Sequence, residues 1–174
     1  MRSQFKAPTV GLEDVVFDYG GGMCPEDFQG NIEKIAEHLA GALKRQGPLA
    51  SKAIKTRVVP KFEEPEDPEL EDDGKGGTKQ RTATTKEKLR FKHECRKYLH
   101  EKPNWKDCNR RTWTKLISHC APSMRTKLRS LSGWDRAEDD QDGIELVKLL
   151  HSVHFEQNGS KQSMIEIVNA KKKL

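Results

Sequence analysis

Apolar side chains are scarce here, 33% of 174 residues, against the ~45–50% usual in globular domains. That shortage excludes one large core running through the whole chain. Small helical packing units separated by polar stretches fit better. No window approaches the ~18 consecutive apolar residues of a membrane span, and the opening "MRSQFKAPTV" lacks the apolar run of a secretion signal. No membrane partner is expected. The expected location is cytoplasmic, where the four cysteines stay reduced.

Cysteine is also too spread for a zinc site. Among Cys95, Cys108 and Cys120 the intervening stretches are 12 and 11 residues, and no C-x₂-C occurs. Structural zinc needs tight pairs, because a short loop must bring two ligands onto one ion. His93-Glu94-Cys95 and His119-Cys120 are neighbours, yet adjacent helical positions point to different sides. The stretch "YGGGMCP" lacks the spaced glycines and terminal Lys-Ser/Thr of a phosphate loop, so Gly20, Gly21 and Gly22 read as a turn. The sequence contains no HExxH, no G-x-S-x-G and no paired carboxylates in an apolar setting. We therefore expect no catalytic residue, no metal, no cofactor and no small-molecule substrate.

What the sequence has in excess is charge, 34% of residues with a net +5, and it is unevenly placed. Residues 1–60 carry 8 basic and 7 acidic side chains, residues 61–83 carry 4 and 8, residues 84–132 carry 14 and 4, and residues 133–174 carry 6 and 8. The positive field belongs to one segment, directly preceded by an acidic one. An acidic chain tethered beside a basic face meets it at high effective concentration. It is expected to mask that face in part.

The patterning predicts an all-α fold in three parts. Residues 1–59 form an N-terminal segment with an amphipathic helix over about 25–46, since Phe28, Ile32, Ile35, Leu39 and Leu43 share one helical face. Pro25 suits its first turn, and Gly47-Pro48 stops it. A shorter helix follows in "LASKAIKTR". Residues 60–83, rich in Pro, Gly and acid, cannot bury enough surface to offset their ordering entropy and are expected to be a disordered linker. Residues 84–174 are expected to form a bundle of four or five short helices.

The first of these, about 85–101, is expected to bury Phe91, Cys95, Tyr98 and Leu99. The second, about 105–120, carries Cys108, Trp113, Leu116, Ile117 and Cys120. Pro122 opens a third with Met124, Leu128 and Leu131. "SGWDRAEDDQDG" reads as a loop or frayed turn, "GIELVKLLHSVHF" as a compact helix with Leu146, Leu149 and Leu150, and "SMIEIVNAKKK" as a last helix.

The candidate binding chemistry lies at 109–135. Arg110, Arg111, Lys115, Arg125, Lys127 and Arg129 fall within about two helices, and exposed cations release counterions on meeting phosphates. Trp105 and Trp113 could add base stacking. A Trp at helical spacing with aliphatics is more often core, so Trp113, Leu116, Ile117, Cys120, Met124, Leu128 and Trp134 are assigned to packing and the cations to a wet outer face.

From about Tyr98 onward the order of features resembles the Gag polyprotein of copia-type long-terminal-repeat retrotransposons, most of all the copia-like elements of diatoms and related algae. The residues that carry it are Trp113, Leu116, Ile117, "HCAPSM", Leu128, Trp134, "AEDDQDGIELVKLLHSVHF" and "EIVNAKKKL". "FDYGGGMCPEDFQGNIEKIAEHLAG" matches the upstream part of such proteins. The resemblance covers about 110 residues and omits the acidic linker. It implies a structural, self-associating homo-oligomer that packages RNA, with a Gag-like domain at 84–174. The family's further helices and its zinc knuckle are missing, so the resemblance also implies a C-terminally truncated, fragmentary or decayed copy. The alternatives are a small nonspecific nucleic-acid-binding helical module and a protein-interaction adaptor.

Overall fold

The structure is a computed structural model that describes residues 5–19, 25–72 and 78–155. Among these residues the fold is all-α, with six helices and one very short ribbon. The helices are α1 (Pro25–Ala42), α2 (Gly47–Thr56), α3 (Thr85–Ser118), α4 (Pro122–Arg129), α5 (Trp134–Asp140) and α6 (143–155). The expected last helix in "SMIEIVNAKKK" and the turn at Gly20–Gly22 lie outside the described residues.

The chain divides into two compact units, one from Met1–Val59 and Cys108–Leu174, the other from Pro60–Asp107. This corrects the expected boundary. The N-terminal segment is not a unit of its own; it shares a core with the described residues from Cys108 to Phe155. The reason is the polar backbone of its extended lead, which must find partners when buried. Phe17, fully buried, donates its N–H to the His119 carbonyl at 2.9 Å and accepts the Ala121 N–H at 2.9 Å. It thereby forms a parallel bridge with Cys120. Asn31 of α1 donates to the Val16 carbonyl at 3.0 Å, which ties the lead to the first helix as well.

Helix α1 forms where its pattern demands: Phe28, Ile32, Ile35 and Leu39 are buried, and Leu43 is half-buried. Burying each such side chain contributes about 1.5–3 kcal/mol. A single 3-10 turn, Lys44–Gln46, leads into α2. At Gly47 the backbone passes so close to α1 that a Cβ would sit 2.1 Å from the Ala40 carbonyl oxygen. Across the first unit, the Phe28 ring stacks on His154 of α6 with centroids 5.1 Å apart. Trp113 and Trp134 pair at 5.4 Å.

Asp142 opens α6, accepting the N–H groups of Ile144 and Glu145 at 3.0 Å each. Asn109 of α3 donates to the same carboxylate at 3.0 Å. At the junction only glycine fits, because a Cβ on Gly143 would lie 2.7 Å from the Thr112 methyl and the Trp113 backbone nitrogen.

Several local expectations change. The two helices expected over about 85–101 and 105–120 are one helix of 34 residues, with Pro103 inside it. Proline removes one backbone bond and crowds the carbonyl four residues back. Side-chain bonds at i,i+4 brace the turns around it, Lys102 to Tyr98 at 2.8 Å and Asn104 with His100 at 2.6 Å. "SGWDRAEDDQDG", expected as a loop, holds α5. Gly133 takes the left-handed conformation (φ 93°) that turns the chain into it, and Trp134 donates its indole N–H to Glu138 at 2.9 Å.

The second unit departs furthest from expectation. Residues 60–83 were expected to be disordered, yet β1 (Leu70–Asp72) pairs antiparallel with β2 (Thr78–Gln80). The register sets Leu70 opposite Gln80 and Asp72 opposite Thr78. Backbone bonding satisfies a segment that cannot bury apolar surface. The Arg81 N–H continues the ribbon to the Glu69 carbonyl at 2.9 Å.

The helix that follows is held at its start by a capping box. The Thr84 N–H and hydroxyl donate to the Glu87 carboxylate at 2.8 and 2.9 Å, and the Glu87 N–H returns to the Thr84 hydroxyl at 3.3 Å. Phe91, Cys95 and Tyr98, expected to be buried, are half-buried, and Leu99 is 70% exposed. Helical spacing alone did not supply a partner for that face.

Candidate nucleic-acid interface

The sequence-predicted core side chains Trp113, Leu116, Cys120, Met124, Leu128, Trp134, Leu146, Leu149 and Leu150 are buried in the first unit, and Ile117 is half-buried. The Cys120 thiol lies against the Leu116 carbonyl at 3.4 Å. Burial pushes its pKa up to about 12, so it is a packed thiol with no thiolate character.

The C-terminal end of α3 is closed by a buried polar chain. Lys115 donates its ammonium to the Thr9 hydroxyl at 3.2 Å, and Thr9 lies 2.8 Å from Nε2 of His119. Nδ1 of His119 is 2.6 Å from the Val15 carbonyl. A carbonyl can only accept, so Nδ1 carries the proton and Nε2 accepts from Thr9. Burial lowers the His119 pKa, the Val15 bond opposes this, and Lys115 and His38 push it down again. The imidazole is a neutral link that ties the lead to the end of α3.

The six predicted cations occupy dissimilar places. Arg110, Arg111 and Arg129 are exposed. Lys115 is half-buried in the chain just described. Arg125 is half-buried and donates Nε–H to the Cys120 carbonyl at 2.9 Å, satisfying a backbone acceptor where α3 ends. Lys127 stands over the Tyr19 ring, 5.7 Å from its centroid. Lys115, Arg125 and Lys127 of the expected wet face are therefore engaged in holding the first unit together. Sequence spacing showed the charges but not these partners, two of which, Thr9 and Tyr19, belong to the distant N-terminal lead.

A second basic surface, part of the 84–132 segment that the acidic run was expected to mask, lies in the second unit. Between residues 85 and 107, α3 carries eight Lys or Arg against four Asp or Glu. Residues 60–72 carry seven carboxylates against one lysine, and they run along the helix in the opposite direction. The Phe62 ring lies 6.3 Å from the buried Trp105. Glu64 acts electrostatically on Lys102, whose pKa is raised first by Tyr98 and then by that carboxylate. Glu69 bonds Lys88 at 2.6 Å, and with Asp67 it raises the lysine's pKa. Arg81 pairs with Glu87 at 2.8 Å.

The Glu87 carboxyl is held down at about 2 by the Thr84 N–H, then the Arg81 and Thr84 side chains. The signal for this surface was present in the sequence as an acidic run followed by a basic helix. The register of one upon the other was not.

Among the described residues no group of three or more His, Cys, Asp or Glu is arranged to hold a metal ion. No helix there is long and apolar enough to cross a membrane. Comparison of the chain with protein-family models, with curated proteins and with solved structures finds no match.

Proposed function

We propose that this chain is a non-catalytic structural protein of the retrotransposon Gag type, a helical scaffold that associates with copies of itself and holds RNA without sequence preference. The observation that carries the RNA half is the charge of α3. Its 34 residues hold eleven Lys or Arg against four Asp or Glu, on a helix whose apolar side chains enter the core of the first unit only over its last third. Cations spaced along a helix meet successive phosphates and release their counterions, which favours any polyanion over neutral partners. The self-association half rests on the resemblance carried by Trp113, "HCAPSM", Leu128 and Trp134.

The test is sedimentation velocity with and without RNA, joined to an RNA titration at several salt concentrations. The expected outcome is log affinity falling linearly with log salt, with assemblies larger than a monomer when RNA is present. A salt-sensitive complex of one chain per RNA would favour the small nonspecific nucleic-acid-binding module. Absence of RNA binding at low salt would remove both readings and leave a protein-interaction adaptor.

A further inference from the structure

We propose that the side of α3 bearing Lys88, Tyr98, Lys102 and Trp105 is a binding surface for single-stranded RNA, and that residues 61–69 occupy it as an internal decoy. The inference rests on the reading of the chain as an RNA-binding scaffold. It adds where the RNA sits and what must leave first.

Single-strand binding surfaces combine cations that follow the phosphates with aromatic rings on which bases stack. Here Tyr98 and Trp105 are seven residues apart, two turns of helix, and so lie on one face. Lys102, between them, stands 5.1 Å from the Tyr98 ring centroid. Lys88, ten residues before Tyr98 and within a quarter turn of its direction, extends the cationic side toward the start of the helix. The acidic segment supplies a counterpart to each kind of RNA contact. The Glu69 carboxylate bonds Lys88 as a phosphate would, Glu64 adds a small electrostatic pull on Lys102, and the Phe62 ring neighbours Trp105, tilted by 40° with centroids 6.3 Å apart.

The decoy is held loosely enough to be displaced. Glu63, Glu64, Glu66 and Asp67 are exposed, and the Lys88 and Glu69 side chains keep 55% and 47% of their surface in solvent. Residues 61–66 do not seal onto the helix: with Glu94, Lys97, Tyr98 and Glu101 they line a cleft of about 650 Å³. Exposed ion pairs are individually weak, so a polyanion presenting many phosphates at once outcompetes them, while weak or isolated anions do not. The segment thus sets a threshold on what the helix accepts.

The test uses the full chain and an oligo-uridylate of about 12 nucleotides, within the ~4–16 that small single-strand sites cover. One variant neutralises the decoy: Glu63→Gln, Glu64→Gln, Glu66→Gln, Asp67→Asn and Glu69→Gln. A control removes five charges from the first unit: Glu33→Gln, Glu37→Gln, Asp135→Asn, Asp139→Asn and Asp140→Asn. At low salt the decoy variant is expected to bind about tenfold more tightly than the native chain. The control should change little, and the gap should narrow near physiological salt, where the screening length is about 8 Å.

Oligo-uridylate added to the native chain is expected to speed amide hydrogen exchange in residues 62–72. Equal tightening in the decoy variant and the control would reduce the effect to net charge and overturn the proposal. So would unchanged affinity, or unchanged exchange in residues 62–72 while RNA binds; the RNA-binding reading would then stand. Failure of every variant to bind at low salt overturns both.

Discussion

Helix α3 passes through two unlike environments, and the contrast shows what stabilises each part of this protein. Over its last third, Thr112, Trp113 and Leu116 are buried, and Trp113 meets Trp134. Over its first two turns and beyond, Leu89 and Leu99 are 65% and 70% exposed, while Phe91, Cys95 and Tyr98 are only half-covered. The same helix is held by hydrophobic burial in the first unit. In the second it is held by a capping box, i,i+4 side-chain bonds and an acidic segment laid along it. Burial is non-directional and is not screened by salt, whereas caps and exposed ion pairs are local and screened. The first unit should therefore behave as the stable body and the second as the responsive one.

The strongest challenge to that contrast is Trp113→Ala, expected to cost about 3–5 kcal/mol, as for a large buried aromatic. Thermal melts followed by circular dichroism measure it. Unchanged melts with weakened RNA binding would make Trp113 a stacking residue and dissolve the distinction. Next in size is Gly143→Ala, where the new methyl meets Thr112 and the Trp113 backbone; overpacking of this kind costs about 1–3 kcal/mol. Denaturant titration should show a lower midpoint, and an unaltered one would mean α6 can move away from α3 freely.

A third comparison uses pH, because the two units depend on different groups. In the first, burial leads the lowering of the His119, His38 and His151 pKa values. The unfolded chain then binds more protons below the ordinary histidine value of 6.5. Stability from these groups is fully present above that value and is lost as pH falls through the lower folded values. In the second, Glu87 is depressed from 4.5 to about 2. Its contribution is complete above the former value and disappears as pH drops toward the latter.

Segment-resolved hydrogen exchange should show the first unit loosening below pH 6.5 and the start of α3 only below 4.5. Loss of both together at one pH would refute separate stabilisation. Thr84→Ala, which removes half of the capping box, is expected to cost about 1 kcal/mol and to raise exchange only in the first turns of α3. The smallest expected effect is at Leu99: Leu99→Ser should stay within about 0.5 kcal/mol, as for an exposed site. A loss of 2 kcal/mol or more, the ~2–5 of a buried leucine, would show that the face is covered.

Much of the first unit was legible residue by residue. Phe28, Ile32, Ile35 and Leu39 announced α1 by period, Pro122 announced the start of α4, and Leu146, Leu149 and Leu150 marked α6. Two signals were legible but passed over. The "TTKE" at 84–87 is a capping box, and "DGIE" at 142–145 places an Asp cap before the last described helix. Leu99 misled, because helical phase reports which side chains could share a face, not whether anything covers them. Pro103 removes one backbone bond from α3, and the bonds of Lys102 and Asn104 to the turn before it carry the helix through.

For the cations, sequence gave positions without acceptors. Arg110 and Arg129 stand exposed. Lys115 and Arg125 reach Thr9 and the Cys120 carbonyl.

By itself, then, the sequence determined the helical class, the placement of most helices and the uneven charge, because these follow from local period, capping chemistry and composition. Tertiary structure alone decided that Phe17 lies across His119 and Ala121, and that Gly143 meets Thr112 and Trp113. It also decided that Glu69 reaches back onto Lys88. Such pairings join distant segments through mutual shape and shared backbone bonds, and their free energy depends on both partners at once. No local window of the sequence contains both.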